Sequence, residues 1–319
     1  MTSLAGRWLA DYRRMLKGPE LEEPFDVYLY RPLAYLVVKA VAPTPVTPNQ
    51  ITAINLLPGL AAAAYFWRGT PDGYLIGAAL LFLTNVLDCA DGMLARVRGA
   101  GSLTGYILDG LADYIIQGAL FTAFLHGIAL RHGDPRLSLY LGIPAGLSAA
   151  WWCSRLDLLR GEWMTRVHGR RRDPHGELAD LERQAVVWRQ ERSHWLDRAL
   201  VRVFALYVRL WYSGKSDRPV PSSEEPVEEW MRRRRPVLRL AVLMGPSTHI
   251  TLLIIAVLAG RPEWYIWTSL VFGTAWGLSV LALRAVRERR PAARRPKGYR
   301  HAGRAVGCGP GDASETADG

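Results

Sequence analysis

The chain has 319 residues, half of them hydrophobic and 12 of them tryptophan, with a formal net charge of +11. Its apolar residues fall in long uninterrupted runs and its charges between them, which points to a membrane protein and away from a nucleic-acid binder. Cys89, Cys153 and Cys308 are far apart and fit no disulfide or zinc-ligand spacing, so a disulfide framework is not expected.

The first segment, 1–47, opens with a polar stretch that lacks the short apolar core of a signal peptide. Residues 28–41 are apolar but short and interrupted by Arg31-Pro32, which predicts a helix lying in the membrane interface. Six later segments reach the ~20 residues that a helix needs to cross a bilayer: 48–67, 73–96, 103–130, 137–158, 237–259 and 264–283. Backbone in lipid must satisfy its own hydrogen bonds, so runs of this length predict helices. The expected fold is all-α: a polytopic membrane protein with six transmembrane helices and an insertion, 159–236, between spans four and five.

Three short links, around 68–72, 131–136 and 260–263, hold few cations. The opposite side receives the N-terminus, the 97–102 loop, the insertion and the tail. It carries Arg170-Arg171-Arg172 and the run Arg232 to Arg235. An excess of Lys and Arg marks the cytoplasmic face, so both termini are expected inside. Within the insertion, Trp195, Leu196, Leu200, Val203, Phe204, Tyr207 and Trp211 recur at helical spacing between arginines. They predict an amphipathic helix packed on the bundle or on anionic lipid. Residues 216–229 are expected to be a loop and 286–319 a disordered tail. No internal repeat is visible.

The chemistry concentrates at the junction of spans two and three. Asp88 and Asp91 are three residues apart and share a helix face with Gly92 and Ala95; Gly105, Asp109 and Asp113 step by four along the next helix. Counted from the short loop, Asp91 and Asp109 lie at similar depth, about 8 Å, and Asp88 and Asp113 about 13 Å, at ~1.5 Å per residue. An antiparallel hairpin would gather all four in one shallow cavity. Ionised side chains in a membrane segment are costly and usually functional. One Asp alone is as readily a helix–helix hydrogen bond, but four at matching depths beside three small residues are not. Four adjacent carboxylates need cations, and an oxygen-only donor set suits Mg²⁺ or Mn²⁺, two of which can bridge a diphosphate. Arg96 at the rim adds donors for phosphate.

The pattern D-x-x-D-G-x-x-A-R, eight residues, G-x-x-x-D-x-x-x-D resembles the signature of CDP-alcohol phosphotransferases. Asp88, Asp91, Gly92, Ala95, Arg96, Gly105, Asp109 and Asp113 fill every defined position. The resemblance covers the signature and the six-helix plan but neither the insertion nor the tail. It implies that Asp88, Asp91 and Asp109 bind metal, and that Asp113 lies at the metals and is the general base. It also implies that Gly92, Arg96 and Ser102 contact the CDP moiety, with Ala95 and Gly105 lining the same cavity. The run Thr47-Pro48-Asn49-Gln50-Ile51-Thr52 looks like the family's opening of the first span, where Asn49 and Thr52 would line the nucleotide site. Read alone, it is equally a helix start, capped by Thr47 with Pro48 in the first turn. The implied reaction is in-line displacement. Asp113 takes a proton from an acceptor hydroxyl, the oxygen attacks the phosphorus bearing the donor alcohol, and CMP leaves.

Other residues carry weaker signals. Arg155 and Asp157 are candidate acceptor contacts, against a plainer reading as interfacial anchors. His249, after Gly245-Pro246, reads as a hydrogen-bonded residue of a kinked helix. Cys89 is assigned no chemistry. Expected partners are a CDP-alcohol donor, a hydroxyl-bearing acceptor, membrane lipids and a second copy in a homodimer, with no nucleic acid. Arg-Pro ahead of the first span looks similar to members that transfer inositol phosphate from CDP-inositol, yet those commonly have an acidic residue where this chain has Met93. Enzymes making phosphatidylglycerol phosphate, phosphatidylserine or phosphatidylinositol phosphate are the alternatives. From a different class, a cation transporter lined by these carboxylates would place them near the bilayer midplane on broken helices. Here the acids lie towards one face.

Overall fold

A computed structural model describes residues 11–16, 18, 20–99, 103–169, 174–190, 195–212 and 225–289; the tail, Ser102 and Arg170-Arg171-Arg172 lie outside them. The described residues are helical, with no strand among them. A π-helical turn, Asp26–Tyr30, leads into α1, Arg31–Val41. Proline lacks only an N–H that a first turn does not use, so Arg31-Pro32 starts this helix instead of interrupting one. α1 buries Tyr35 and Val38 against Val86, Cys89 and Met93, while Leu33 and Leu36 stay exposed.

α2 spans Pro48–Trp67 and begins as the local sequence dictates. Thr47 Oγ1 accepts from Gln50 N at 3.3 Å and Gln50 Oε1 accepts from Thr47 N at 2.9 Å, a reciprocal capping box ahead of Pro48. α3, Pro71–Arg98, is capped by Thr70 and ends at Gly99, whose φ of 60° is the left-handed conformation that closes helices. α4 follows at Leu103–His132, and a π-helical turn, Leu137–Gly142, leads into α5, Ile143–His168.

The insertion holds two helices where the sequence predicts one: α6, Pro174–Gln190, and α7, Trp195–Tyr212. The side chains of Leu196, Tyr207 and Trp211 are outside the described set. α8, Val227–Ala241, begins ten residues before the expected span, so Arg232 to Arg235 lie on a helix that continues into it. A 3₁₀ turn, Val242–Met244, and extended Gly245 then break the chain before α9, Pro246–Leu258. The two arms meet at 40°. The chain finishes with α10, Trp264–Trp267, a π-helical turn, Thr268–Gly273, and α11, Thr274–Arg289.

Among the described residues, three helices are long and apolar enough to cross a membrane by length and composition: Pro71–Arg98, Ile107–His132 and Trp264–Glu288. The bent α8–α9 pair adds a fourth if it is one span. α2, with Asn49, Gln50 and Asn55, and α5, charged over its last third, are long but less apolar.

One apolar core, including Phe66, Leu81, Ile116, Phe124, Leu253 and Ile266, joins α2, α3, α4, α9 and α10. Small residues set its spacing. A Cβ at Gly59 of α2 would stand 2.7 Å from Ile116 Cγ1, so glycine lets α2 lie close on α4. α2 packs along both α3 and α4, whereas those two make little contact with each other. The simple hairpin expected of the signature helices is thus a three-helix wedge, with α2 between.

Candidate active site

Carboxylate oxygens of Asp88 and Asp91 on α3 and Asp109 on α4 lie within 4.8 Å of one another, Asp91 buried and the other two half-buried. Asp113, half-buried one turn further along α4, is outside that set of three. The donor set is all oxygen and anionic, and fits a hard divalent cation. Asp88, Asp91 and Asp109 are the residues that would hold it.

Thr52 comes from α2 and was expected at the nucleotide. It is buried, and its Oγ1 donates to Asp91 Oδ2 at 2.6 Å and to Pro48 O at 3.2 Å. A hydroxyl spent on a carboxylate orients that ligand, so the structure gives Thr52 a supporting place behind Asp91. Asn49, in the first turn of the same helix, is half-buried.

Gly92 and Ala95 are half-buried, and the Arg96 guanidinium lies over Gly92, 3.6 Å from where a Cβ would stand. Arg96 Nε donates to Met15 O at 2.6 Å, while its second terminal nitrogen is buried without a partner among the described residues. A buried guanidinium with a spare donor suits a phosphate oxygen. Gly105 is half-buried. Arg155 and Asp157 fit the anchoring reading: Arg155 stacks on Trp151, 4.4 Å from the ring centroid, and Asp157 pairs with Arg160 at 3.6 Å. His249 meets Tyr265 Oη at 3.3 Å.

Residues 11–31 have a part in the site's support that the sequence analysis did not assign. Met15 holds the signature arginine. Glu22 pairs with Arg31 at 2.8 Å, both buried beside Cys89. Glu23 accepts from Thr248 N at 2.9 Å and Thr248 Oγ1 at 3.0 Å, with Arg160 at 3.5 Å. Gly245 offers α9 no side-chain cap, and a Cβ there would collide with the Glu23 carboxylate. Glu23 thus caps α9 from another part of the chain, its carboxyl oxygen accepting from an N–H of the helix's first turn. Burial and nearby Asp26 push its carboxyl up to about 7, against Arg160 and the Thr248 bonds. The only hint in the sequence was an acidic run, Glu20 to Asp26, ahead of an apolar helix.

A cavity of about 440 Å³ on α8 is lined by Arg232, Arg235 and Arg239 with Glu228, Met231 and Pro236. It includes no residue of the signature.

Residues 45–168 match the family model for CDP-alcohol phosphatidyltransferase. The chain is 35% identical over 111 residues to the phosphatidylinositol phosphate synthase of Corynebacterium glutamicum, covering 34% of this chain and 47% of that protein. It is 34% identical over 89 residues to the Mycobacterium tuberculosis protein of the same name, 28% and 40% of the two chains. An archaetidylinositol phosphate synthase of Pyrococcus horikoshii is 34% identical over 92 residues, 29% and 45%. The chain spans less than half the length of each of these relatives. None of the matches supports a cation transporter. The matched residues contain the whole signature, from Thr47 to Asp113, together with the three gathered carboxylates, so residues 45–168 are the part of the chain that is similar to the CDP-alcohol phosphatidyltransferase family.

Proposed function

We propose that the chain is a membrane-embedded, divalent-metal-dependent phosphotransferase. It moves a phosphatidyl group from a CDP-linked donor to the hydroxyl of an inositol phosphate and releases CMP. One observation carries the reading: Asp88, Asp91 and Asp109 converge from two helices, and Thr52 orients the buried member of the set. The names of the relatives support a phosphatidylinositol phosphate as product among the alternatives that the signature leaves open.

Asp88, Asp91 and Asp109 hold the cations, Mg²⁺ or Mn²⁺. Bound metal would neutralise charge on the donor's diphosphate. Arg96, fixed at Nε by Met15, turns its spare donor to a phosphate oxygen. Gly92 leaves the space under that guanidinium free of a side chain, and Asn49, Ala95 and Gly105 line the nucleotide's cavity; the CDP contact that the resemblance implies for Ser102 falls outside the described residues. Asp113, one turn beyond the ligands, accepts the proton of the acceptor hydroxyl. That oxygen forms a bond to the donor phosphorus as the bond to the CMP oxygen breaks, and CMP leaves as the phosphate anion. The full set of six spans, the cytoplasmic placement of site and termini, and a homodimer belong to the same proposal, as does an acceptor contact from Arg155 or Asp157.

Purified full-length protein in nanodiscs, given CDP-diacylglycerol, Mg²⁺ or Mn²⁺ and a panel of acceptors, tests it by CMP release. Inositol phosphate is expected to be the best acceptor. Release only with glycerol phosphate or serine would overturn the substrate, and no metal-dependent release with any acceptor would overturn the activity.

A further inference from the structure

The helical insertion has an apolar face that the described residues leave exposed. In α7, Val201, Phe204 and Val208 are buried against Leu178 and Leu181 of α6 and Ile107 of α4. On the opposite side of the same helix Trp195 is 68% exposed, Leu206 57% and Val203 43%, and Ala199 is exposed with them. At ~100° per residue, Trp195, Ala199 and Leu206 fall within about 40° of one another, with Val203 about 40° further. Exposed Arg202 and Arg209 border the other edge of this stripe. A helix that packs by one face needs no second apolar face in water, and arginines flanking such a face complement anionic headgroups.

The position of the helix selects the partner. Ile107 lies in the second turn of α4, a helix long and apolar enough to span a membrane, two residues before Asp109. α7 is therefore tied to the bundle where a membrane-crossing helix begins, at the end that carries the carboxylate cluster. We propose that the Trp195–Ala199–Val203–Leu206 face of α7 docks on the anionic surface of the bilayer that this chain itself spans. The α6–α7 hairpin is then a membrane-seated brace on the helix that carries Asp109.

The test reads immersion, so its result does not depend on the enzymatic proposal. Full-length protein with Cys308→Ser carries a nitroxide at Leu206→Cys or Val203→Cys, and a reference label at Arg183→Cys, whose side chain is 77% exposed on α6. In nanodiscs containing phosphatidylglycerol, the α7 labels are expected to show an oxygen-to-nickel-chelate accessibility ratio several-fold above the reference. That excess should be lost in Arg202→Gln/Arg209→Gln and should shrink in phosphatidylcholine alone. Labels on α7 as open to nickel chelate as the reference would overturn the proposal. So would shielding from both reagents with dipolar broadening, which would mark a second copy as the occupant. Equal immersion with and without phosphatidylglycerol would overturn the anionic preference.

Discussion

Thr52 Oγ1 donates to Asp91 Oδ2 at 2.6 Å, joining the opening turn of one helix to the signature of the next. Groups that orient a metal ligand typically contribute about 10–100-fold in affinity or activity. Thr52→Val is therefore expected to weaken Mn²⁺ binding by about that factor, and Thr52→Ser to restore most of it. Isothermal titration with Mn²⁺ distinguishes the two. Equal affinities in the wild type and the valine variant would remove Thr52 from the metal's surroundings.

Asp113 stands apart from the three gathered carboxylates. Asp113→Asn should abolish CMP release while leaving Mn²⁺ affinity within about threefold of wild type, whereas Asp109→Asn should lose both. The contrast follows from separating proton transfer from cation binding. A turnover rate in Asp113→Asn within a factor of ten of wild type would show that another group takes the proton.

Glu23 gives the fold a pH dependence of defined sign. Its folded pKa is about 7 against 4.5 for the ordinary group, so its favourable contribution is complete below about 4.5 and is lost as pH rises through 7. A shift of that size corresponds to about 3 kcal/mol. Thermal unfolding of Glu23→Gln followed from pH 5 to 8 should show a flatter profile than wild type. Parallel profiles would assign the dependence to other groups.

Arg31 and Glu22 are both buried, and two further nitrogens of Arg31 lack partners among the described residues. Removing one member of such a pair leaves a charge uncompensated, at a cost of about 3–5 kcal/mol. Replacing both by apolar residues can be neutral. Glu22→Gln should therefore lower the melting temperature more than Glu22→Leu/Arg31→Met. The reverse order would mean that the pair contributes net stability.

Where interactions are local, the sequence displayed them. Thr47 and Pro48 predicted the start of α2 because a helix start is written within a few residues, and the capping box that Gln50 completes there is just as local. Asp88, Asp91 and Asp109 predicted a cation site because helical spacing fixes their faces. The wedge of α2 between the signature helices was not legible, since it depends on Gly59 meeting Ile116 across the bundle. Nor was the role of Thr52, whose partner lies 39 residues away. α6 escaped notice because its exposed Val186 and Val187 blur the helical stripe that marks α7. The break at Gly245 was anticipated as a kink, but the carboxylate that caps it comes from 225 residues upstream, beyond any local pattern.

That separation bears on how the molecule is made. Residues 11–30 leave the ribosome more than 200 residues ahead of α9, so Glu23 finds Thr248, and Tyr30 finds Thr251 at 2.8 Å, only after α9 has been translated. Until then the Glu23 carboxyl and the Tyr30 phenol, both buried in the finished fold, must wait in water or in the care of a chaperone. Biogenesis therefore closes like a clasp, with residues 23–30 fastened only once α9 arrives, and a stalled chain lacking α9 would leave them without their latch.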